Sequence, residues 1–278
     1  MRRRLAIVLA AAVALGLATP WTAAQAKPLV VTQNYLAVGD SITYGLGVLP
    51  SEAFPSRLDA ASKRLTLAVN MGAPGATLLE VGQQLATFPL PREAITRITL
   101  TVGANDIHWV AALMACLNQP VGPPCASDDV GGGVTVQNVV DGGLASVTTN
   151  LPTLLVGAHQ LYPNAKIYVG GYYELFGSRK QTCQLGGGYF ITAVDKAWYN
   201  ATTLRLNSAI KGAVAKANDM LDHRPVKYVN VASRFNGHGF CDSATRWIIG
   251  PEIISAAGHP TAKGQKVYAD AFHAAGVR

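Results

Sequence analysis

Three short strand-like runs in this chain each stop at a tight group of small and polar residues. Residues 35–38 (Tyr-Leu-Ala-Val) lead into Gly39-Asp40-Ser41, residues 65–70 into Met71-Gly72-Ala73-Pro74-Gly75, and residues 95–102 into Gly103-Ala104-Asn105-Asp106. Apolar runs of this length, bounded by turn residues, read as buried strands. Between them, residues 54–62 and 77–87 read as helices. The second opens with Thr77 and Glu80 in capping-box spacing. Strand, helix, strand, helix, strand is the pattern of a parallel sheet with helices packed on both faces.

The rest of the chain extends the pattern. Residues 166–170 and 226–231 read as a fourth and a fifth strand. Leu144, Val147, Leu151, Leu154, Leu155 and Ala158 recur at helical spacing, with Pro152 expected to start or bend that helix. Leu206, Ile210, Val214 and Ala217 form another such stripe, read as core packing, and residues 261–275 as a closing helix. Residues 116–133, rich in Pro and Gly, read as loop, and residues 171–189 as irregular. No internal repeat and no domain-dividing linker is visible.

Residues 1–26 have the form of an export signal: Arg2, Arg3 and Arg4, an apolar stretch at 5–17 too short to span a bilayer comfortably, and Ala24-Gln25-Ala26 as a small-x-small cleavage site. The expectation is a signal peptide, 1–26, and a single domain, 27–278, secreted and without an integral membrane segment. Loss of the three arginines lowers the formal charge of +7 by three, and no dense Lys/Arg block stands out, so nucleic acid is not an expected partner. Cys116, Cys125, Cys183 and Cys241 are an even set in an exported chain, which favours disulfides. Of three possible pairings, Cys116–Cys125 with Cys183–Cys241 is preferred, because the first closes a short Pro- and Gly-rich loop. The absence of CxxC spacing argues against a zinc site, and no metal is expected.

Ligands of open parallel sheets sit beyond the carboxyl ends of the strands. There the three turns place Ser41, Gly75 and Asn105. A serine there can simply cap the next helix. Its hydroxyl is a weak nucleophile until a base takes its proton, and an oxyanion formed on acyl attack needs preorganised donors. The backbone N–H groups of Ser41 and Gly75 and the side-chain amide of Asn105 could supply three. His259, in Gly258-His259-Pro260-Thr261, is the candidate base, since the residue before a proline is held extended. His108, His159, His223, His238 and His273 have no such context, and Asp40 reads as a brace for the turn. Asn200-Ala201-Thr202 reads as a chance glycosylation sequon.

Taken in order, Gly39-Asp40-Ser41, Gly75 within residues 70–77, Gly103-Ala104-Asn105-Asp106 and His259-Pro260-Thr261 resemble the four blocks of the SGNH/GDSL hydrolase superfamily of esterases and lipases. The resemblance spans nearly all of residues 27–278. Residues 237–241 with Trp247-Ile248 resemble its secreted, disulfide-bonded actinobacterial members. It implies a three-layer α/β/α sandwich around a mainly parallel five-stranded sheet of flavodoxin-like type. It also implies Ser41 as nucleophile, His259 as base, and Ser41, Gly75 and Asn105 as the oxyanion hole. The expected protein is a cofactor-free, monomeric enzyme acting on small-molecule or lipid esters. Rival readings are an esterase of acetylated polysaccharide and a carbohydrate- or lipid-binding protein on the same scaffold. One departure stands out: the family usually has Asp three residues before the histidine, and this chain has Ala256. The expectation is therefore a Ser-His dyad oriented by the Ala256 backbone carbonyl, with Glu252 or Asp242 as the alternative orienting acids.

Overall fold

Tyr35, Leu36, Ala37 and Val38 are fully buried at the centre of a strand. The structure is a computed structural model and describes residues 33–88, 91–119, 122–178, 181–242 and 244–278; the expected export signal lies outside them. In chain order the elements are β1 (Gln33–Gly39), α1 (Ser41–Tyr44), α2 (Phe54–Ala61), β2 (Leu65–Asn70), α3 (Leu78–Thr87), β3 (Ile95–Thr101) and α4 (Trp109–Cys116). Next come β4 (Asp129–Gly131), β5 (Val134–Thr135), α5 (Val136–Leu161), β6 (Lys166–Gly170), β7 (Cys183–Gly186) and β8 (Tyr189–Ile191). The chain then closes with α6 (Ala193–Met220), β9 (Val226–Val229) and α7 (Ala262–Ala275).

Five strands make one sheet in the order β2-β1-β3-β6-β9, parallel throughout. Helices α2 and α7 pack together on one face, and α3, α5 and α6 on the other. With both faces covered, β1 and β6 are near-continuous apolar runs, and β3 buries Thr99 and Thr101 beside its apolar residues. The chain steps from β1 outward to β2, then returns to the other side of β1 and proceeds through β3, β6 and β9. This is the flavodoxin-like order, and its switch point lies between the carboxyl ends of β1 and β3.

The α7 face is held by aromatic packing and one buried amide. Phe54 stacks on Phe272 and Tyr268 with ring centroids 5.0 and 5.8 Å apart. Gln265, fully buried, accepts from the Phe54 N–H at 2.9 Å and donates to the Ile42 carbonyl at 3.1 Å. It ties α7 and α2 to the short helix that begins with Ser41.

The structure corrects two local expectations and narrows a third. Residues 116–133 are not all loop: β4 and β5 form a small antiparallel hairpin there. Residues 171–189 are not irregular throughout, because β7 pairs with β8. Of the two expectations for Pro152, a helix start is excluded: it lies buried inside the 26-residue α5. A proline there removes one helical hydrogen bond, at a cost of about 3 kcal/mol. Burial of Val140, Val147, Leu151 and Leu155 in the core offsets it, since each such side chain contributes roughly 1.5–3 kcal/mol.

Cys116 is bonded to Cys125 and Cys183 to Cys241. Asp195 lies near the first pair, but both sulfurs are spent on each other and its carboxylate accepts from the Cys125 N–H at 2.7 Å. That group is a structural clamp between α6 and the turn before β4, not a ligand set.

Candidate active site

At the end of β1 the chain must turn sharply, and Gly39 permits it. Its φ is +139°, and a Cβ there would lie 2.5 Å from the Thr101 carbonyl oxygen. The buried Gln84 side chain grips Gly39 from α3, accepting from its N–H at 2.7 Å and donating to its carbonyl at 3.0 Å. Asp40 caps α1, one oxygen accepting from the Ile42 N–H at 2.9 Å and from the Thr101 hydroxyl at 2.8 Å. Its other oxygen accepts from the Tyr172 hydroxyl. The helix cap is thus Asp40, and Ser41 occupies the first helical position with its side chain free for other contacts. Asp40 is almost completely buried, and burial pushes its carboxyl up to about 6, against the lowering effect of these three donors.

Ser41 and His259 are 218 residues apart in sequence and meet here. The Ser41 hydroxyl oxygen lies 2.8 Å from His259 Nε2, with both side chains buried. His259 Nδ1 is 3.1 Å from the Ala256 carbonyl oxygen and 3.3 Å from that of Ala257. Two acceptors at Nδ1 put the proton of a neutral ring on that nitrogen, which leaves the Nε2 lone pair for the serine hydroxyl. Burial pushes the imidazole pKa below its ordinary 6.5, and the two carbonyls oppose that push.

The histidine loop is fixed on every side. Ile249 N–H donates to the His259 carbonyl at 2.7 Å, and Gly258 N–H to the Ile249 carbonyl at 2.9 Å. Tyr173 donates to the Gly258 carbonyl at 2.6 Å. Trp109 packs edge-on against the imidazole, centroids 5.5 Å apart. Neither alternative acid reaches the ring. Glu252 pairs with Arg246 at 2.7 Å, and Asp242 accepts from the Gly239 N–H at 2.8 Å.

The other two turns are bolted to the first. Met71 and Ala73 N–H groups donate to the carbonyls of Ala37 and Gly39 at 2.8 and 3.0 Å, and the Asn70 amide to the Thr43 carbonyl at 2.8 Å. The Asn105 amide donates to the Ala76 carbonyl at 2.9 Å, and Asp106 accepts from the Leu78 N–H at 3.2 Å. Among the described residues neither the Ser41 nor the Gly75 N–H has an acceptor. Asn105 spends one amide hydrogen on Ala76 and keeps a second.

A cavity of about 50 Å³ opens beside Ser41, walled by apolar side chains including Ile107, Trp109, Leu175 and Leu206. A second apolar groove, of about 100 Å³, lies beyond the partition made by Trp109, Leu175 and Gly258. Of the remaining histidines, His159 and His223 face each other, and His238 stacks on Trp247. Asn200 lies inside α6 with its amide bonded to the Phe176 backbone, which explains why its sequon is incidental.

Tyr172, Gln84, Trp109 and Tyr173 went unmarked in the sequence. Each acts through a long-range contact from a segment with no motif of its own. The only available signal was the polar Gln84 on the apolar face of α3, beside the buried Val81 and Leu85.

A model of the GDSL-like Lipase/Acylhydrolase family matches residues 37–267. Lipase 2 of Streptomyces coelicolor is 26% identical over 301 residues, covering 97% of this chain and 95% of its own. The crystal structure of an extracellular lipase from Streptomyces rimosus aligns with a TM-score of 0.68 at 20% identity, over 88% of this chain and 100% of that one. A phospholipase A1 from Streptomyces albidoflavus aligns at 0.66 and 22% identity, over 88% and 99%. At these identities the two structures share the fold.

Proposed function

Because the chain belongs to the GDSL-like lipase/acylhydrolase family, we propose that it is a secreted, cofactor-free serine esterase or lipase that hydrolyses carboxylic esters. One observation carries the reading: Ser41 and His259 are in hydrogen-bond contact at 2.8 Å, with the imidazole turned by the Ala256 carbonyl so that Nε2 accepts. In this scheme Nε2 takes the Ser41 proton as the serine oxygen attacks the ester carbonyl. The N–H groups of Ser41 and Gly75 and the Asn105 amide receive the oxyanion. The C–O bond to the alcohol then breaks, and the imidazolium gives its proton to the departing alkoxide. Water, deprotonated by the same nitrogen, releases the acid from the acyl-serine. A carbonyl carries less negative charge than a carboxylate, so it stabilises the imidazolium less than an Asp would.

The apolar walls beside Ser41 favour an aliphatic acyl group over an acetyl group borne on a polysaccharide. The export-like residues 1–26 and the two disulfides support a site of action outside the cytoplasm. The test is labelling with a fluorophosphonate probe followed by peptide mapping, with a panel of p-nitrophenyl esters from acetyl to palmitoyl. Label on Ser41 is expected. Ser41→Ala should fold normally, lose the label, and lose roughly three or more orders of magnitude in kcat. A variant retaining activity within about tenfold of wild type would overturn the assignment.

A further inference from the structure

At the end of the sheet away from Ser41, the amino ends of the strands border a groove of about 660 Å³ that the ester chemistry does not use. Lys63 and Arg64 reach it from the turn before β2, Arg97 from β3, Lys166 from the start of β6 and Arg278 from beyond α7. No Asp or Glu lines it. None of the five cations is in an ion pair among the described residues. Residues 1–32 contain no Asp or Glu.

The strand register concentrates these charges. Arg97 lies directly across from Lys166 in the β3–β6 ladder, and Lys227 faces Tyr168 on the next strand. Like charges opposite one another weaken a sheet, so the row is a stability cost that folding does not require. Arg97 adds a second: its Nε is buried without an acceptor, and its Nη1 meets only the Thr96 carbonyl, at 2.8 Å. Tyr168 lines the groove with Arg97 and Arg278; burial raises its hydroxyl pKa, and both guanidinium groups act to lower it. A guanidinium with unused donors matches the geometry of a phosphate.

We infer that this groove binds a linear polymer carrying a row of phosphate groups, independently of the ester-hydrolysing site. A concave, one-signed groove fits a chain rather than a flat bilayer. The exposed apolar side chains Val110, Met114 and Ile254, which suit a lipid surface, border the apolar groove next to the active site instead. Of the two ring side chains in its lining, Tyr168 is buried and His273 half-buried, so recognition rests on charge and spacing more than on base stacking. An enzyme held this way would be retained on a polyanionic matrix with its active-site end free.

The test uses the full protein and long-chain inorganic polyphosphate, with affinity measured by titration calorimetry across a range of salt. Wild type should bind, with affinity falling steeply as salt rises. The triple variant Lys63→Gln/Arg64→Gln/Lys166→Gln should bind at least about tenfold more weakly, with a log–log salt slope shallower by about 2. Lys211→Gln/Lys216→Gln, on the exposed side of α6, should bind like wild type. Ester hydrolysis should stay within about twofold of wild type in both variants, which reports the fold. The inference is overturned if the triple variant binds like wild type or if the α6 variant is weakened equally. It is also overturned if phosphatidylglycerol vesicles bind where polyphosphate does not, if orthophosphate competes at equal phosphate concentration, or if single-stranded DNA binds more tightly than polyphosphate of equal charge.

Discussion

Asp40→Asn should change how stability depends on pH, by an amount the buried network sets. The carboxyl of Asp40 titrates at about 6 in the fold, against 3.8 for an ordinary Asp, because burial disfavours its charged form. Between those pH values the folded protein holds a proton that the unfolded chain has lost. Stability from this group is therefore fully present below about 3.8 and is lost as pH rises through about 6. A shift of about two units corresponds to about 3 kcal/mol over the whole window. Asparagine does not titrate, so the variant lacks this slope. It brings a fixed offset instead, since its NH2 replaces one acceptor in a site built around three donors; leaving one donor unmatched costs about 1–3 kcal/mol. Urea unfolding of both proteins from pH 3.5 to 8 gives the difference at each pH. That difference should move by about 3 kcal/mol in favour of Asp40→Asn as pH rises. A flat difference would refute the reasoning and mean that the carboxyl is as easily ionised in the fold as in water.

The remaining expectations concern the site and its bracing. Asn105→Ala should lower kcat by roughly 10²–10³ with little change in KM, as expected for a donor used in the transition state; unchanged kcat with weaker binding would remove Asn105 from the oxyanion hole. Glu252→Gln and Asp242→Asn should each keep kcat within about tenfold, because neither carboxylate touches His259; a loss of about 10³ in either without unfolding would mean a triad. In both variants the acid limb of kcat/KM should stay below pH 6.5, the direction in which burial moves the imidazole. Opening Cys183–Cys241, 58 residues apart, should destabilise more than opening Cys116–Cys125, 9 apart. Loop entropy puts the two at about 4 and about 2.5 kcal/mol, and chemical unfolding of the paired Cys→Ser variants would rank them.

The Ser41 end of the sheet was legible because its parts are local. A strand stopped by Gly39, a capping box at Thr77 and a histidine before Pro260 each announce themselves within a few residues. The five strands follow from the alternation, whereas their order was implied only by the family resemblance and is shown by the structure. The bracing was not legible. Tyr172 reaches Asp40 across 132 residues and Gln84 reaches Gly39 across 45, and nothing near either residue marks the contact. Pro152 left two readings open for a related reason: local chemistry allows a helix start or a bend there, and the packing of α5 between α3 and α6 carries the helix through it.

The imidazole of His259 takes its bearing from a main-chain oxygen, and this changes what mutation can reach. A carboxylate is lost by a single nucleotide change, whereas the carbonyl of residue 256 is present whichever side chain stands there. Drift in side chains leaves that acceptor in place, and drift in chain path does not. The exposed points are then the backbone itself: a residue inserted or deleted between 249 and 260, or replacement of Gly258, whose φ of +82° few other residues adopt and whose Cβ would press within 3.1 Å of Trp109. For a chain of this design, loop length is under tighter constraint than the choice of acid.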